Sequence, residues 1–215
     1  MFLRKTLLAA ICATLLPVTA VMAADAQQFP SEQGSITATP IAKGLDHPWA
    51  VAFLPDKQGF LVTERPGHLR FVSPDGKLSA PLTGVPQVWA KGQGGLLDVV
   101  LSPDFKQDRL VYLSYAEGGG EGGKAGTAVG RGRLADDLSG LKDFKVILRQ
   151  EPKLSTGNHF GSRLAFDRDG YLFVTLGENN DRPTAQDLDK LQGKVVRIYP
   201  DLSLIHISEP TRLRR

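Results

Sequence analysis

One theme recurs three times along this chain and limits the fold more than any other feature. His47-Pro48-Trp49-Ala50-Val51-Ala52-Phe53-Leu54-Pro55-Asp56 leads into Phe60-Leu61-Val62-Thr63 and then Glu64. Leu96-Leu97-Asp98-Val99-Val100-Leu101-Ser102-Pro103-Asp104 leads into Leu110–Ser114, and Arg163–Asp169 leads into Tyr171–Thr175 and then Glu178. Each copy is a pair of short apolar runs around a turn, the pattern of paired antiparallel strands. Aligned on Asp56, Asp104 and Asp169, the copies are 48 and 65 residues apart, where propeller blades repeat at about 40–50 residues. Gly118–Gly132 reads as a Gly-rich insertion that lengthens the second step. Leu69–Val72, the turn Ser73-Pro74-Asp75-Gly76 and Lys77–Leu78 add a further strand pair, Val195–Tyr199 opens another, and only Gln186–Leu191 suggests a short helical turn. Four-stranded, turn-punctuated units of this kind predict an all-β chain built as a β-propeller. A single sandwich has similar strand spacing but gives no reason for the repeat. Three copies do not close a ring, so the expectation is about the N-terminal three blades of a propeller, with open faces and edges.

The stretch Ser155–Asn180, STGNHFGSRLAFDRDGYLFVTLGENN, concentrates the chemistry. Asp169-Gly170 between two apolar runs is a strong hairpin signal. Entrance and exit of an antiparallel pair lie at the same end, so Asn158, His159 and Arg163 meet Glu178, Asn179, Asn180, Asp181 and Arg182 at one mouth. His159, between Gly157 and Gly161, is either a general base for an alcohol proton or a histidine bonded into its turn. Gln93, in Lys91-Gly92-Gln93-Gly94-Gly95, sits in a similar turn, which is also readable as a plain tight turn. Arg163 either binds an anionic ligand or pairs with Glu178 across the hairpin. His47 and His68 read as surface or turn residues. Gly118–Lys124 fits a phosphate-loop spacing, but Ala125 replaces the hydroxyl residue and no strand–loop–helix context surrounds it. No metal-binding spacing of His, Cys or acidic residues is visible.

The ends differ in character. Met1–Ala23, with Arg4 and Lys5 before the apolar run Thr6–Val21, reads as a cleavable secretory signal, and hence a periplasmic or secreted location. Pro17 and the short run argue against a membrane anchor, so no stable membrane insertion is expected after cleavage. Cys12, the only cysteine, lies within that signal. Residues 24–35 form a polar N-terminal arm, 36–201 the partial propeller, and 202–215 a foreign tail: LSLIHISEPTR resembles the translation of a sequencing adapter, and His206 within it carries no functional weight. Without both ends, the 26 basic and 23 acidic residues fall to 21 and 22. The chain's net charge of +3 thus belongs to its termini, and no nucleic-acid partner follows from it.

GNHFGSRLAFDRDGYLFVTLGENN, KGQGGLLDVVLSPDF, LDHPWAVAFLPD and GKAGTAVGRGRL together resemble the pyrroloquinoline-quinone (PQQ)-dependent aldose sugar dehydrogenases of the glucose/sorbosone dehydrogenase family, over roughly Ile36 to Asp201. The resemblance implies a six-bladed propeller that oxidises the C1 hydroxyl of an aldose to a lactone, passing hydride to PQQ and onward to an external electron acceptor. It assigns His159 as the base and Gln93 as a cofactor contact, and it places Asn158, Arg163 and Glu178 near the site. The family's Ca2+ ligands and further quinone contacts belong to later blades, so this chain alone is expected to be inactive. Ser162 stands where the family's N-H-x-G-G-R turn has a second glycine. A propeller binding module or a calcium-dependent lactonase-type hydrolase are the alternatives on the same fold.

Overall fold

The computed structural model describes residues 26–119 and 121–200, and the chain divides after Pro40 into two compact units. The expected signal and the 202–215 tail lie outside the described residues. The first unit contributes a hairpin where a polar arm is predicted. β1 (Gln27–Ser31) pairs with β2 (Gly34–Ala38), from Gln27 opposite Ala38 to Ser31 opposite Gly34. The Ser31 hydroxyl closes the two-residue turn by donating to the Gly34 carbonyl at 2.6 Å.

The second unit holds three antiparallel meanders in chain order. The first is β3 (Pro48–Phe53), β4 (Phe60–Glu64) and β5 (His68–Val72). The second is β6 (Leu96–Leu101), β7 (Leu110–Gly118), β8 (Ala125–Leu134) and β9 (Leu141–Arg149). The third is β10 (Gly161–Phe166), β11 (Leu172–Leu176) and β12 (Val195–Ile198). The leading strands are neighbours: β3 lies against β6, and β6 against β10. This is the arrangement of propeller blades about their innermost strands.

Burial on both faces explains the apolar run Leu110–Leu113 that opens β7. Val111, Leu113 and Tyr115 join Leu61, Leu69, Leu96 and Leu134 in a core between the first and second sheets. Tyr112, one register position away, joins Val129, Leu148, Leu164, Leu172, Val174 and Ile198 between the second and third. The two-residue period of a strand sends alternate side chains into different cores, and each fully buried Leu or Val contributes about 1.5–3 kcal/mol. The first sheet's far face is open: Val51 and Phe53 of β3 alternate with the buried Ala52 and are exposed.

Three expectations need correction. Only the second sheet has four regular strands. The segment after β5 follows that strand, with Ser79 N–H donating to Phe71 O at 2.9 Å and Leu82 N–H to Leu69 O at 2.8 Å. Pro81 between them has no N–H, so the ladder reduces to an isolated bridge, Val72–Leu78. The helical turn expected at Gln186–Leu191 forms upstream, as a 3-10 turn at Arg182–Gln186. Pro183 sits in its opening residues, where the missing proline N–H costs nothing. Lastly, Gly118–Gly132 is no insertion: most of it is the ten-residue strand β8. A Cβ on Gly130 would lie 2.5 Å from the Phe144 ring and 2.8 Å from Lys145 O, so glycine marks close packing with β9. The 65-residue step comes from the length of this sheet's strands. The predicted turn Ser73-Pro74-Asp75-Gly76 forms after β5, closed by the Gly76 N–H donating to Ser73 O at 2.9 Å, and the hairpin at Asp169-Gly170 forms as expected.

Candidate active site

Glycine-rich turns precede both β6 and β10, and the structure brings them together. Gln93 N–H donates to Gly157 O at 2.7 Å, and the Gln93 Oε1 accepts the His159 backbone N–H at 2.9 Å. His159 adopts a left-handed φ of 51° and leaves its imidazole exposed. Its Nδ1 is hydrogen-bonded to Glu178 Oε1. Entrance and exit of the hairpin therefore do meet, and the carboxylate goes to the histidine. That contact is the first cause holding the Glu178 carboxyl below the usual glutamate range, against the opposing effect of burial. With Nδ1–H donated to a carboxylate, Nε2 is left as the proton acceptor, and Glu178 stabilises the imidazolium that forms when Nε2 is protonated.

The loop geometry depends on one contact that only glycine permits. A Cβ on Gly177 would fall 1.6 Å from His159 O and 2.4 Å from its carbonyl carbon. This closeness lets Gly177 N–H reach Phe160 O at 3.0 Å and Asn179 N–H reach His159 O at 3.3 Å. Asn179, buried, donates from Nδ2 to Asn158 O at 3.0 Å, and its own carbonyl accepts the Thr156 hydroxyl. Asn158 thus serves the loop through its backbone. Ser162 has φ of 79°, a region that costs a residue with a Cβ about 1–2 kcal/mol. That explains a motif with glycine at this position.

Arg163 does not pair with Glu178. Its Nη1 donates to Asp98 Oδ1 at 2.9 Å, and its guanidinium lies 4.9 Å from the Trp49 ring centre. Asp98, at 1% exposure, also accepts the N–H of Leu164 at 2.7 Å and of Val99 at 2.9 Å. Burial pushes its carboxyl above the usual aspartate range, opposed by the Leu164 N–H and the Arg163 charge. Asp98 escaped the sequence reading, although one charge inside the apolar run Leu96–Leu101 was the signal. His47 and His68 lie away from this cluster: His47 bonds Asp46, and His68 bonds Glu64 at 3.2 Å. Glu64 is itself buried and held by Arg70. Among the described residues no three His, Cys, Asp or Glu side chains gather to hold a metal. No helix among them is long and apolar enough to cross a membrane.

Residues 45–210 match the glucose/sorbosone dehydrogenase family. The aldose sugar dehydrogenase YliI of Escherichia coli K12 is 69% identical over 154 residues, covering 72% of this chain and 41% of its own length. An uncharacterised protein of Synechocystis is 34% identical over 189 residues, covering 80% of this chain and 45% of its own. Among solved structures, the apo form of the soluble E. coli aldose sugar dehydrogenase superposes with a TM-score of 0.73 at 65% identity, covering 75% of this chain and 46% of that one. The PQQ-bound aldose sugar dehydrogenase of Streptomyces coelicolor gives 0.67 at 29% identity, covering 79% and 51%. This chain spans about half the length of the relatives it matches.

Proposed function

Because the chain belongs to the glucose/sorbosone dehydrogenase family and forms part of its propeller, we propose that it supplies the proton-accepting side of a quinoprotein that oxidises the C1 hydroxyl of aldose sugars to lactones. One observation carries the reading: His159 is exposed at the mouth, with Nδ1 held by Glu178 and its backbone N–H held by Gln93. The donor set there fits an anionic quinone. Gln93 spends its oxygen on His159 and keeps its Nε2 without a partner among the described residues, while exposed Lys91 and half-buried Arg65 flank the same turn, Arg65 through a 2.8 Å bond to Gly92 O. Gln93 and these cations would hold the cofactor. Arg163, committed to Asp98, and Glu178, committed to His159, would not contact it directly.

In this reading the sugar's C1 hydroxyl lies against His159 Nε2, which takes its proton as the C1–H bond breaks. PQQ, when bound, supplies the acceptor for the hydride. Glu178 keeps the imidazole in the tautomer with Nε2 free and balances its charge afterwards. An external acceptor would receive the electrons that the bound cofactor carries away. No calcium ligand is assigned to the described residues, and Ca2+ enters only through the family resemblance. A periplasmic or secreted location is proposed from the signal-like N-terminus.

The test is aldose-dependent dye reduction with PQQ and Ca2+ added. It is run on the 215-residue chain and on a chimera that continues past Ile198 with the corresponding remainder of the E. coli relative. The chimera turns over, the chain alone does not, and His159→Gln lowers chimera turnover by about 10²–10⁴-fold, the usual worth of a general base. Undiminished turnover in His159→Gln refutes the base. A chimera that reduces dye without PQQ refutes the cofactor.

A further inference from the structure

The strand that follows His159 is irregular, so something beyond its own ladder must help to fix it. The pairing of β10 with β11 shifts register between Gly161 and Leu164. At such a bulge the backbone groups lose their regular partners. Here they find partners on the second sheet. Asp98 takes the Leu164 N–H, Ser114 Oγ donates to Ser162 O at 2.6 Å, and Thr127 Oγ1 donates to Phe160 O at 2.6 Å. Just beyond β9, Gln150 donates from Nε2 to Gly177 O at 2.6 Å. Phe160 immediately follows His159, and Gly177 immediately precedes Glu178.

Thr127 and Gln150 also form one unit. Thr127 N–H donates to Gln150 Oε1 at 3.1 Å, and Gln150 N–H donates to Thr127 O at 2.8 Å. Both residues are at most 1% exposed, so water cannot replace these bonds. The bond to Gly177 O also fixes which end of the Gln150 amide is nitrogen.

We propose that Thr127 and Gln150 are positioning residues for the His159–Glu178 pair, a single clamp on the neighbouring sheet that holds the main chain on either side of the two groups. The proposal rests on the reading of His159 as the base. It adds that the geometry of the pair is set from the second sheet as well as by the hairpin that bears it.

A comparable buried bond offers a control. Thr63 Oγ1 donates to Leu97 O at 2.6 Å, tying the first sheet to the second with no bond to the main chain beside His159 or Glu178. The experiment follows the Glu178 side-chain carboxyl by ¹³C NMR through a pH titration of the 215-residue chain. The bond from His159 holds that carboxyl below the usual range, so misplacing the imidazole lets it rise toward the ordinary value. Thr127→Val and Gln150→Met raise the Glu178 midpoint, Thr127→Ser restores it, and Thr63→Val leaves it where it was. Unchanged Glu178 titration in folded Thr127→Val and Gln150→Met overturns the proposal, as does an equal shift in Thr63→Val. If both clamp variants unfold while Thr63→Val folds, the clamp is structural and the proposal falls. A shifted Glu178 together with full turnover in the His159→Gln chimera would sink the base and leave the clamp standing.

Discussion

Substituting Gly177 by Ala tests how closely the two loops at the mouth must approach. The added methyl would sit 1.6 Å from His159 O and 3.0 Å from Gly161 N, where an ordinary carbon–oxygen contact needs about 3.3 Å or more. The obstacle is backbone, so no rotamer change relieves it. The loops must part by well over an ångström, which breaks the Gly177–Phe160 and Asn179–His159 backbone bonds. Two bonds at about 1 kcal/mol each, plus about 1–3 kcal/mol for the overpacking that remains, give about 3–5 kcal/mol. With a urea slope of about 2 kcal/mol/M, the unfolding midpoint falls by about 2 M, a large part of a stability of about 5–15 kcal/mol. Gly170→Ala is the comparison. Nothing lies within 4 Å of its Cβ, although φ is 81°, so it costs only the backbone strain of about 1–2 kcal/mol. A Gly177→Ala midpoint equal to or above that of Gly170→Ala would refute the close approach.

Glu117 predicts an acid-sensitive contact. Burial raises its carboxyl, but bonds from Lys153 at 2.7 Å and Arg149 at 2.8 Å outweigh it and leave the group below the usual glutamate range. A lowered folded pKa gives stability that is complete above the unfolded value and lost as pH falls through the folded one. Urea midpoints measured from about pH 5 to pH 3 therefore decline less steeply in Glu117→Gln than in the parent, and parallel declines would contradict this. Gln93→Ala separates stability from chemistry: water can reach the exposed His159 N–H, so unfolding changes by less than about 1 kcal/mol. Turnover of the chimera falls with it, and wild-type turnover would show that Gln93 has no part in the site.

Strand pairs were legible wherever one residue in two was apolar and a Gly, Pro or Asp turn closed the run, as at Asp169-Gly170. The place of His159 at the mouth was legible because glycines flank it and a polar exit follows the hairpin Gly161–Leu176. Local pattern misled at β8, where Gly126, Gly130 and Gly132 looked like a loop. Their role is set by β9 lying across them, and nothing in the neighbouring sequence announces that. Of the two readings of Arg163, an anionic ligand or a pair with Glu178, the second names the wrong carboxylate for a related reason. Glu178 lies across the same hairpin, whereas Asp98 reaches it from another sheet, 65 positions away in the chain. Thr127 and Gln150 gave no signal at all, since a threonine in a strand and a glutamine beyond one are ordinary until the adjoining sheet is in place.

The side chains of Asp98, Ser114, Thr127 and Gln150 address peptide groups of the third sheet, at positions 164, 162, 160 and 177. Every amino acid offers a carbonyl, and all but proline an amide hydrogen. These bonds consequently survive any change at residues 160, 162 and 164 that keeps their packing and backbone conformation, whereas they do not survive loss of the four side chains that reach across. Divergence of such a protein should run unevenly across this seam, with the reaching side holding its hydrogen-bonding chemistry and the received side answering only to packing and backbone shape.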